Sequence, residues 1–509
     1  MAPMLSPTTK FQLDSIDPFS TLAISDVLFD DLTSELSPIH RLPAEIVGEI
    51  FLEYVLSFSW PDSPSKCQFA PLTLTWICSR WRDISVSTAS LWVFHYIPPH
   101  SALIGRPSTI YDHLDHYTIL ALSHSKSCRL HVSINNSTVS AADLLFAVSD
   151  RWKSARFTIG GSLPRSLTQR GLPRRYTLEV EFKSFPKHQT YPCLENLTIE
   201  SDDYDYPIPL FLNSPHLRTL CLTNMRSQWP DENSLPWSQI QNFAGRVSLP
   251  FVYRLLKLCP QLKRLDIVQE RYPPLVLPEA AGYPLPAIAS GTWYSHEYTP
   301  ISSGSPDFPQ VDAPHLHSLC VSTATDQPSL TNWLRFTPSL ISIDLKGDPN
   351  TSEAIHKQIV LDLIAFLRRS DCQLESLALS SVDIRPTQFI ELFTLLPELK
   401  VLDFGAHDVP RTYLEALCDK SVLRRLTAPP IIAADKHEVL LPRLISIRLY
   451  LPTAPMSSAF EKFLGFLESR RPLDIREKDG IAYLDKIEFS GWLCWNSWNS
   501  TSFDPYFAL

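Results

Sequence analysis

Glycine is scarce in this chain, which has only 14 glycines among 509 residues. Phosphate-cradling loops and dinucleotide-binding turns need closely spaced glycines, because the backbone must approach the phosphates there. Such a composition argues against both kinds of fold. Proline is abundant instead, with 44 residues spread along the sequence. Because proline ends helices and makes the preceding residue extended, the chain is predicted to consist of many short elements.

Positive charge is also in short supply, since the formal net charge is -9 and the pI is about 5.9. No block of lysine and arginine is present that would neutralise nucleic-acid phosphates, so no nucleic-acid partner is expected. Residues 1–16 lack the charged and apolar regions of a secretory signal. No run of about 18 apolar residues occurs either, so we expect no membrane-spanning segment.

The ten cysteines include no Cys-x-x-Cys pair. Several lie inside apolar runs, as Cys221 does between two leucines and Cys320 between Leu319 and Val321. Cysteines in such runs are typical of small buried side chains in a reducing compartment. The sequence therefore predicts a cytoplasmic or nuclear protein.

Short catalytic and metal-binding motifs are missing as well: no G-x-S-x-G, H-E-x-x-H or G-x-x-x-x-G-K-[ST] string occurs. His113 and His116 share a helical face, and His315 and His317 flank one leucine. A metal site needs further ligands that neither pair has nearby, so solvated histidines are the favoured interpretation. We expect no catalytic residues, no metal and no cofactor. An enzyme would require acid, base or nucleophile groups that converge in a pocket.

A small helical unit is predicted at residues 38–94, after a polar tail at 1–37. Pro43 suits the first turn of a helix, where its missing N–H costs nothing. Ile46 and Ile50 recur at four-residue spacing, and Val47 forms part of an adjacent apolar row. A second helical run is predicted from Leu72 to Ile84, and a short third piece at Leu91 and Trp92. So small a domain is marginal alone and gains stability from a partner that covers its apolar surface.

The next signal is a repeat of Leu-x-x-Leu-x-Leu, often introduced by proline. Most copies follow one another at about 20–29 residues, the window of leucine-rich repeats. The first apolar residues of successive copies are Leu194, Leu217, Ile240, Leu262, Leu316, Leu340, Leu374, Leu399, Leu423, Leu444 and Leu484.

Strand-plus-helix units of this kind must stack, because one unit cannot cover its own apolar stripe. The sequence thus predicts an α/β solenoid with one parallel sheet at 108–495. A connector is expected at 95–107, a proline-rich insertion at 272–314 and a tail at 496–509.

Polar residues occupy the outward positions of the predicted strands, where side chains alternate between the two faces. These positions form a candidate surface for a protein substrate. Along the array they are predicted to change from acidic at Asp344 and Asp403 to basic at Arg425 and Arg448. The two arginines then clamp an acidic or phosphorylated segment, or they are solvated surface charges. The second alternative is slightly favoured for each arginine alone, and binding is favoured for the surface as a whole.

The segments Ile39–Phe51, Trp76–Ile84 and Ser90–Trp92 together resemble an F-box of the type found in mushroom-forming fungi. The resemblance implies a non-enzymatic substrate receptor that binds a Skp-type adaptor of a cullin–RING ubiquitin ligase and recruits a protein substrate through the solenoid. The alternative is a repeat-based interaction protein that no longer engages a ligase. The adaptor contacts that the resemblance implies are Leu42, Pro43, Ile46, Ile50, Leu72, Cys78 and Trp81.

The repeats resemble leucine-rich repeats only loosely. That family has an asparagine or cysteine three residues after the last strand leucine, whereas Glu270 and Val382 occupy this place in two copies. Without an asparagine ladder, an irregular solenoid is expected.

Overall fold

The structure is a computed structural model of the full chain. It describes residues 38–58, 64–98, 109–135, 140–159, 190–201, 211, 213–223, 235–247, 249–269, 310–323, 330–332, 334–347, 353–405, 416–427, 439–450, 458–470, 482 and 484–490. The predicted tails at 1–37 and 496–509, and most of the predicted insertion, lie outside the described residues.

The fold is α/β, with thirteen strands in one parallel sheet whose order follows the chain. Each strand pairs only with its predecessor and its successor, as in an open solenoid. The prediction of a single parallel sheet is therefore confirmed. The strands are β1 (Phe94–Ile97), β2 (Leu130–Asn135), β3 (Trp152–Ile159), β4 (Asn196–Ser201), β5 (Thr219–Thr223), β6 (Asn242–Val247), β7 (Arg264–Gln269), β8 (Ser318–Thr323), β9 (Ser342–Gly347), β10 (Ser376–Ser380), β11 (Val401–Phe404), β12 (Ser446–Tyr450) and β13 (Lys486–Ser490).

Ten α-helices occur among the described residues, most of them in the connections between strands. None of these helices is long and apolar enough to cross a membrane. They are α1 (Ala44–Leu56), α2 (Pro64–Thr75), α3 (Ser79–Ser87), α4 (Thr109–His124), α5 (Ser140–Phe146), α6 (Leu249–Leu258), α7 (Glu353–Ser370), α8 (Pro386–Thr394), α9 (Lys420–Leu426) and α10 (Ser458–Ser469).

The repeat leucines form the core, because strand side chains alternate and the pairing is in register. Leu220 pairs with Leu197 on one side and with Phe243 on the other, and all three are buried. Aromatic rings from the helices pack onto these rows: the centroids of Phe243 and Phe251 are 5.7 Å apart. The buried face of the sheet therefore lies against the helical layer.

One predicted repeat copy is wrong: Leu423 and Leu426 belong to helix α9, not to a strand. Asp419 caps this helix, since its carboxylate accepts a hydrogen bond of 2.8 Å from the N–H of Ser421. Val422, Leu423 and Leu426 are buried together at three- and four-residue spacing. Two leucines three residues apart fit a strand motif and a helix equally well, and here the helical face prevails.

The predicted helix from Leu72 to Ile84 is also wrong, because it is broken between α2 and α3. Cys78 ends the break as the N-cap of α3, where its Sγ accepts a hydrogen bond of 3.5 Å from the N–H of Trp81. Trp76 and Ile77 lie in the intervening turn.

The sheet begins earlier than predicted, because β1 covers residues assigned to the connector at 95–107. Helix α2 packs directly on this first strand. The side-chain oxygen of Gln68 accepts a hydrogen bond of 2.7 Å from the N–H of Tyr96, and the carbonyl of Gln68 accepts one from the hydroxyl of Tyr117. The helical unit is thus the first layer of the solenoid, with a core that continues into the repeats.

Two arginines tie neighbouring repeats together, where regular leucine-rich repeats use an asparagine ladder. Arg151 directly precedes β3, and Arg470 directly follows α10. Each donates hydrogen bonds to carbonyls that precede the neighbouring strand, β2 for Arg151 and β12 for Arg470. Arg151 bonds the carbonyl of Cys128 at 2.9 Å, and Arg470 bonds those of Leu426 and Leu440, both at 3.0 Å. These arginines satisfy carbonyls that the irregular turns leave without a partner.

Candidate functional site

Helix α1 presents an apolar row to solvent beside the row that it buries. Val47 and Phe51 are each only 1% exposed, so the row that contains them is part of the core. Ile46 is 48% exposed, and Ile50, one turn later, is 42% exposed. Tyr54 continues the same row at 39%. We call Ile46, Ile50 and Tyr54 the apolar face of α1.

An arginine orients the entry into this helix. Arg80 of α3 donates hydrogen bonds to the carbonyls of His40 and Leu42, in and just after the 3-10 turn Pro38–Arg41. Two contacts from one guanidinium restrain the turn that leads into Pro43, the exposed residue before α1.

The other residues that the F-box resemblance implies are half-buried. Leu42 and Leu72 pack against the core, and Cys78 caps α3. The ring of Trp81 packs on Phe51, with the ring centroids 4.7 Å apart. These residues support the shape of the helical unit, whereas Pro43, Ile46 and Ile50 are exposed to solvent.

Sequence reasoning missed the most exposed apolar residues of this unit. Trp76 is 75% exposed and Ile77 55% exposed, both in the turn between α2 and α3. Both residues directly precede Cys78, the N-cap of α3, and a possible N-cap at this place is the signal that could have placed them in a turn and not in a continuous helix.

On the outward face of the sheet, one residue from each strand stands in a continuous row. Pairing places Asp344 beside Cys320 and Ala378, and Asp403 beside Ala378 and Arg448. The structure therefore brings three of the four predicted substrate residues into one line. It does not bring the fourth, because Arg425 lies on α9.

The predicted basic end of this row is reduced to Arg448, which lies between Asp403 and Glu488. Arg448 forms an ion pair with Asp403 of the neighbouring strand, with 2.9 Å between Nη1 and Oδ2. Lys346 likewise pairs with Asp344 at 2.9 Å. The charges of this row are therefore compensated within the sheet, and such exposed pairs contribute little stability.

The cysteine between the carboxylates is not an activated nucleophile. Burial, reinforced by Asp344 and Asp266, raises the pKa of the Cys320 thiol to about 12. The thiol is thus protonated at neutral pH and points its Sγ at the Asp344 carboxylate, 3.5 Å away.

Among the described residues, no three histidine, cysteine, aspartate or glutamate side chains are close enough together to hold a metal ion. A shallow cleft is lined by Thr190, Pro192, Asn213, Ser214 and Pro215. Neither the protein-family models nor the curated proteins with which the chain was compared gave a match.

Proposed function

We propose that the chain is the substrate-recruiting subunit of a ubiquitin ligase of the cullin–RING class. The apolar face of α1 binds a Skp-type adaptor, and the solenoid binds the protein substrate. The observation that carries this proposal is the separation of two apolar rows on one helix: Val47 and Phe51 are buried, whereas Ile46 and Ile50 are exposed.

Exposure of the Ile46 and Ile50 side chains to water is unfavourable, and a partner that covers them removes this cost. Tyr54 on α1, and Trp76 and Ile77 in the turn between α2 and α3, are exposed as well, so this small unit carries several large apolar side chains in contact with solvent. Scattered apolar residues need no explanation, but a group of this kind is typical of protein interaction sites. Tryptophan and tyrosine are also enriched among residues that dominate binding energies.

The second candidate function is a repeat-based interaction protein that does not engage a ligase. The extended single sheet favours it equally, since an extended surface suits a protein ligand better than a small molecule. Co-purification with a Skp-type adaptor separates the two candidates.

The test is the double substitution Ile46→Ala and Ile50→Ala, with adaptor affinity measured by calorimetry. Each side chain is about half exposed, so each removal costs about 1–1.5 kcal/mol of interface burial. Together these losses weaken binding by about two orders of magnitude.

The matched control is Ile119→Ala with Leu120→Ala on α4, where both side chains are similarly exposed. This control should bind the adaptor as the parent chain does. A folded Ile46 and Ile50 double variant that retained full adaptor affinity would contradict the proposed interface.

A further inference from the structure

The residues that immediately precede the strands form a second row, along the amino-terminal edge of the sheet. The N–H of each one donates to the carbonyl of its predecessor, with distances from 2.7 to 3.0 Å. Strand spacing places neighbours in this row about 4.8 Å apart. From β4 to β11 the row reads Glu195, Arg218, Gln241, Lys263, His317, Ile341, Glu375 and Lys400.

Charges at the two ends of this row are compensated. Glu195 forms an ion pair of 2.8 Å with Arg129, and Glu375 forms one of 2.8 Å with Lys400. The middle of the row differs. Within the described part of the chain, no carboxylate lies within ion-pair distance of Arg218 or Lys263, although both side chains are exposed.

Two further features extend this middle section. Arg264 follows Lys263 directly and is also exposed, whereas Asp266 is the nearest acidic residue on the same strand. At the other end, Ile341 is 45% exposed, and Phe336 in the turn before β9 is 45% exposed as well. We call Arg218, Lys263, His317 and Ile341 the edge strip.

We propose that the edge strip binds an acidic polypeptide segment that carries an apolar side chain. This inference rests on the proposed function, in which the solenoid binds a protein. The carboxylates pair with Arg218 and Lys263, and the apolar side chain packs on Ile341.

The dimensions favour a polypeptide over a single anion. Arg218 on the β5 side and Ile341 on the β9 side are four strands apart, about 19 Å. An extended chain covers that distance in about six residues. The net charge of -9 disfavours a long polyanion such as nucleic acid, which meets repulsion beyond the strip.

The experiment uses the full chain and fluorescein-labelled peptides of about six residues, the length that spans the strip. In the first peptide, two glutamates at alternating positions are followed by a leucine. The second peptide has the same residues in the reverse order. Binding is measured by fluorescence anisotropy at low ionic strength, where exposed charges are least screened.

The strip variant is Arg218→Glu with Lys263→Glu. Its matched control is Arg254→Glu with Lys420→Glu, which exchanges the same residue types at exposed helical positions and changes the net charge equally. We expect the strip variant to bind the better peptide about tenfold more weakly or worse, because two attractions become repulsions. The control should stay within about twofold of the parent.

Equal binding by the strip variant and the parent overturns the inference, as does a parent chain that binds neither peptide. Tighter binding of a single-stranded oligonucleotide than of either peptide overturns it too. Adaptor binding is measured on the same strip variant. If the chain binds the adaptor but the strip variant binds the peptides as well as the parent does, the edge strip alone is refuted. If the parent chain does not bind the adaptor but the strip variant shows a clear loss of peptide binding, the ligase role alone is refuted.

Discussion

Arg470 offers the sharpest test of how the repeats are joined. Its side chain is only 2% exposed, and burial lowers the pKa of the guanidinium to about 10. It donates hydrogen bonds to the carbonyls of Leu426, Leu440 and Leu441 at 3.0–3.3 Å. Replacement by methionine keeps most of the side-chain volume and removes every donor.

The magnitude follows from two opposing effects. The carbonyl of Leu441 keeps a hydrogen bond from the N–H of Leu444. The carbonyls of Leu426 and Leu440, and that of Ala482, which Arg470 bonds at 3.4 Å, lose the arginine and cost about 1–3 kcal/mol each, or about 6 kcal/mol together. Removal of the buried charge regains about 3 kcal/mol, since the pKa of Arg470 is lowered from 12.5 to about 10. We therefore expect Arg470→Met to reduce local stability by about 3 kcal/mol.

Hydrogen exchange measures this loss strand by strand. In a solenoid each repeat contacts only its neighbours, so protection should fall in β12, β13 and α10 but not in β4 or β5. The control is Arg443→Met: Arg443 is 58% exposed in its ion pair with Glu398, and its loss should cost less than about 1 kcal/mol. Unchanged protection of β12 and β13 in the Arg470 variant would refute this reasoning.

Two further predictions concern the core. Burial lowers the pKa of His95 to about 3 and that of His131 to about 4, so both are neutral when folded and take up protons on unfolding below about pH 6.5. Stability should fall as the pH drops from 6.5 to 5, by about 2 kcal/mol for His95 alone, and urea titrations of His95→Leu should show a smaller loss. Gly245 lies where an added Cβ would be 2.5 Å from the carbonyl oxygen of Leu222 and 3.2 Å from the ring of Phe243. Gly245→Ala should therefore lower the urea midpoint by an amount equivalent to about 1–3 kcal/mol, and an unchanged midpoint would contradict the close approach.

The sheet was predictable because its signal is local. A leucine pair such as Leu197 and Ile199 marks two inward positions of a strand, and repetition at a fixed period indicates stacking. The same locality explains the failure at Leu423 and Leu426, whose three-residue spacing fits a helix as well.

Contacts between neighbouring repeats whose residues are far apart in sequence were not predictable. Arg470 bonds carbonyls at Leu426 and Leu440, and nothing near residue 470 encodes them. The edge strip depends on register in the same way, because Arg218 and Lys263 approach each other only after β6 has paired with β5 and β7. The exposed face of α1 was half predictable: the helical period defines two apolar rows but not which of them is covered.

The contact between α2 and β1 has a geometric consequence for any partner that binds the helical unit. Gln68 bonds Tyr96 in the first strand, and Trp92 bonds Ser85 at 2.8 Å, so α1–α3 meet the array without a free linker. A partner bound to α1 therefore has a fixed orientation relative to every strand of the sheet. The number of strands between this partner and a segment bound further along the sheet then sets the distance between the two, about 4.8 Å for each strand. Gain or loss of a repeat would change this distance in discrete steps, without any change to either binding surface.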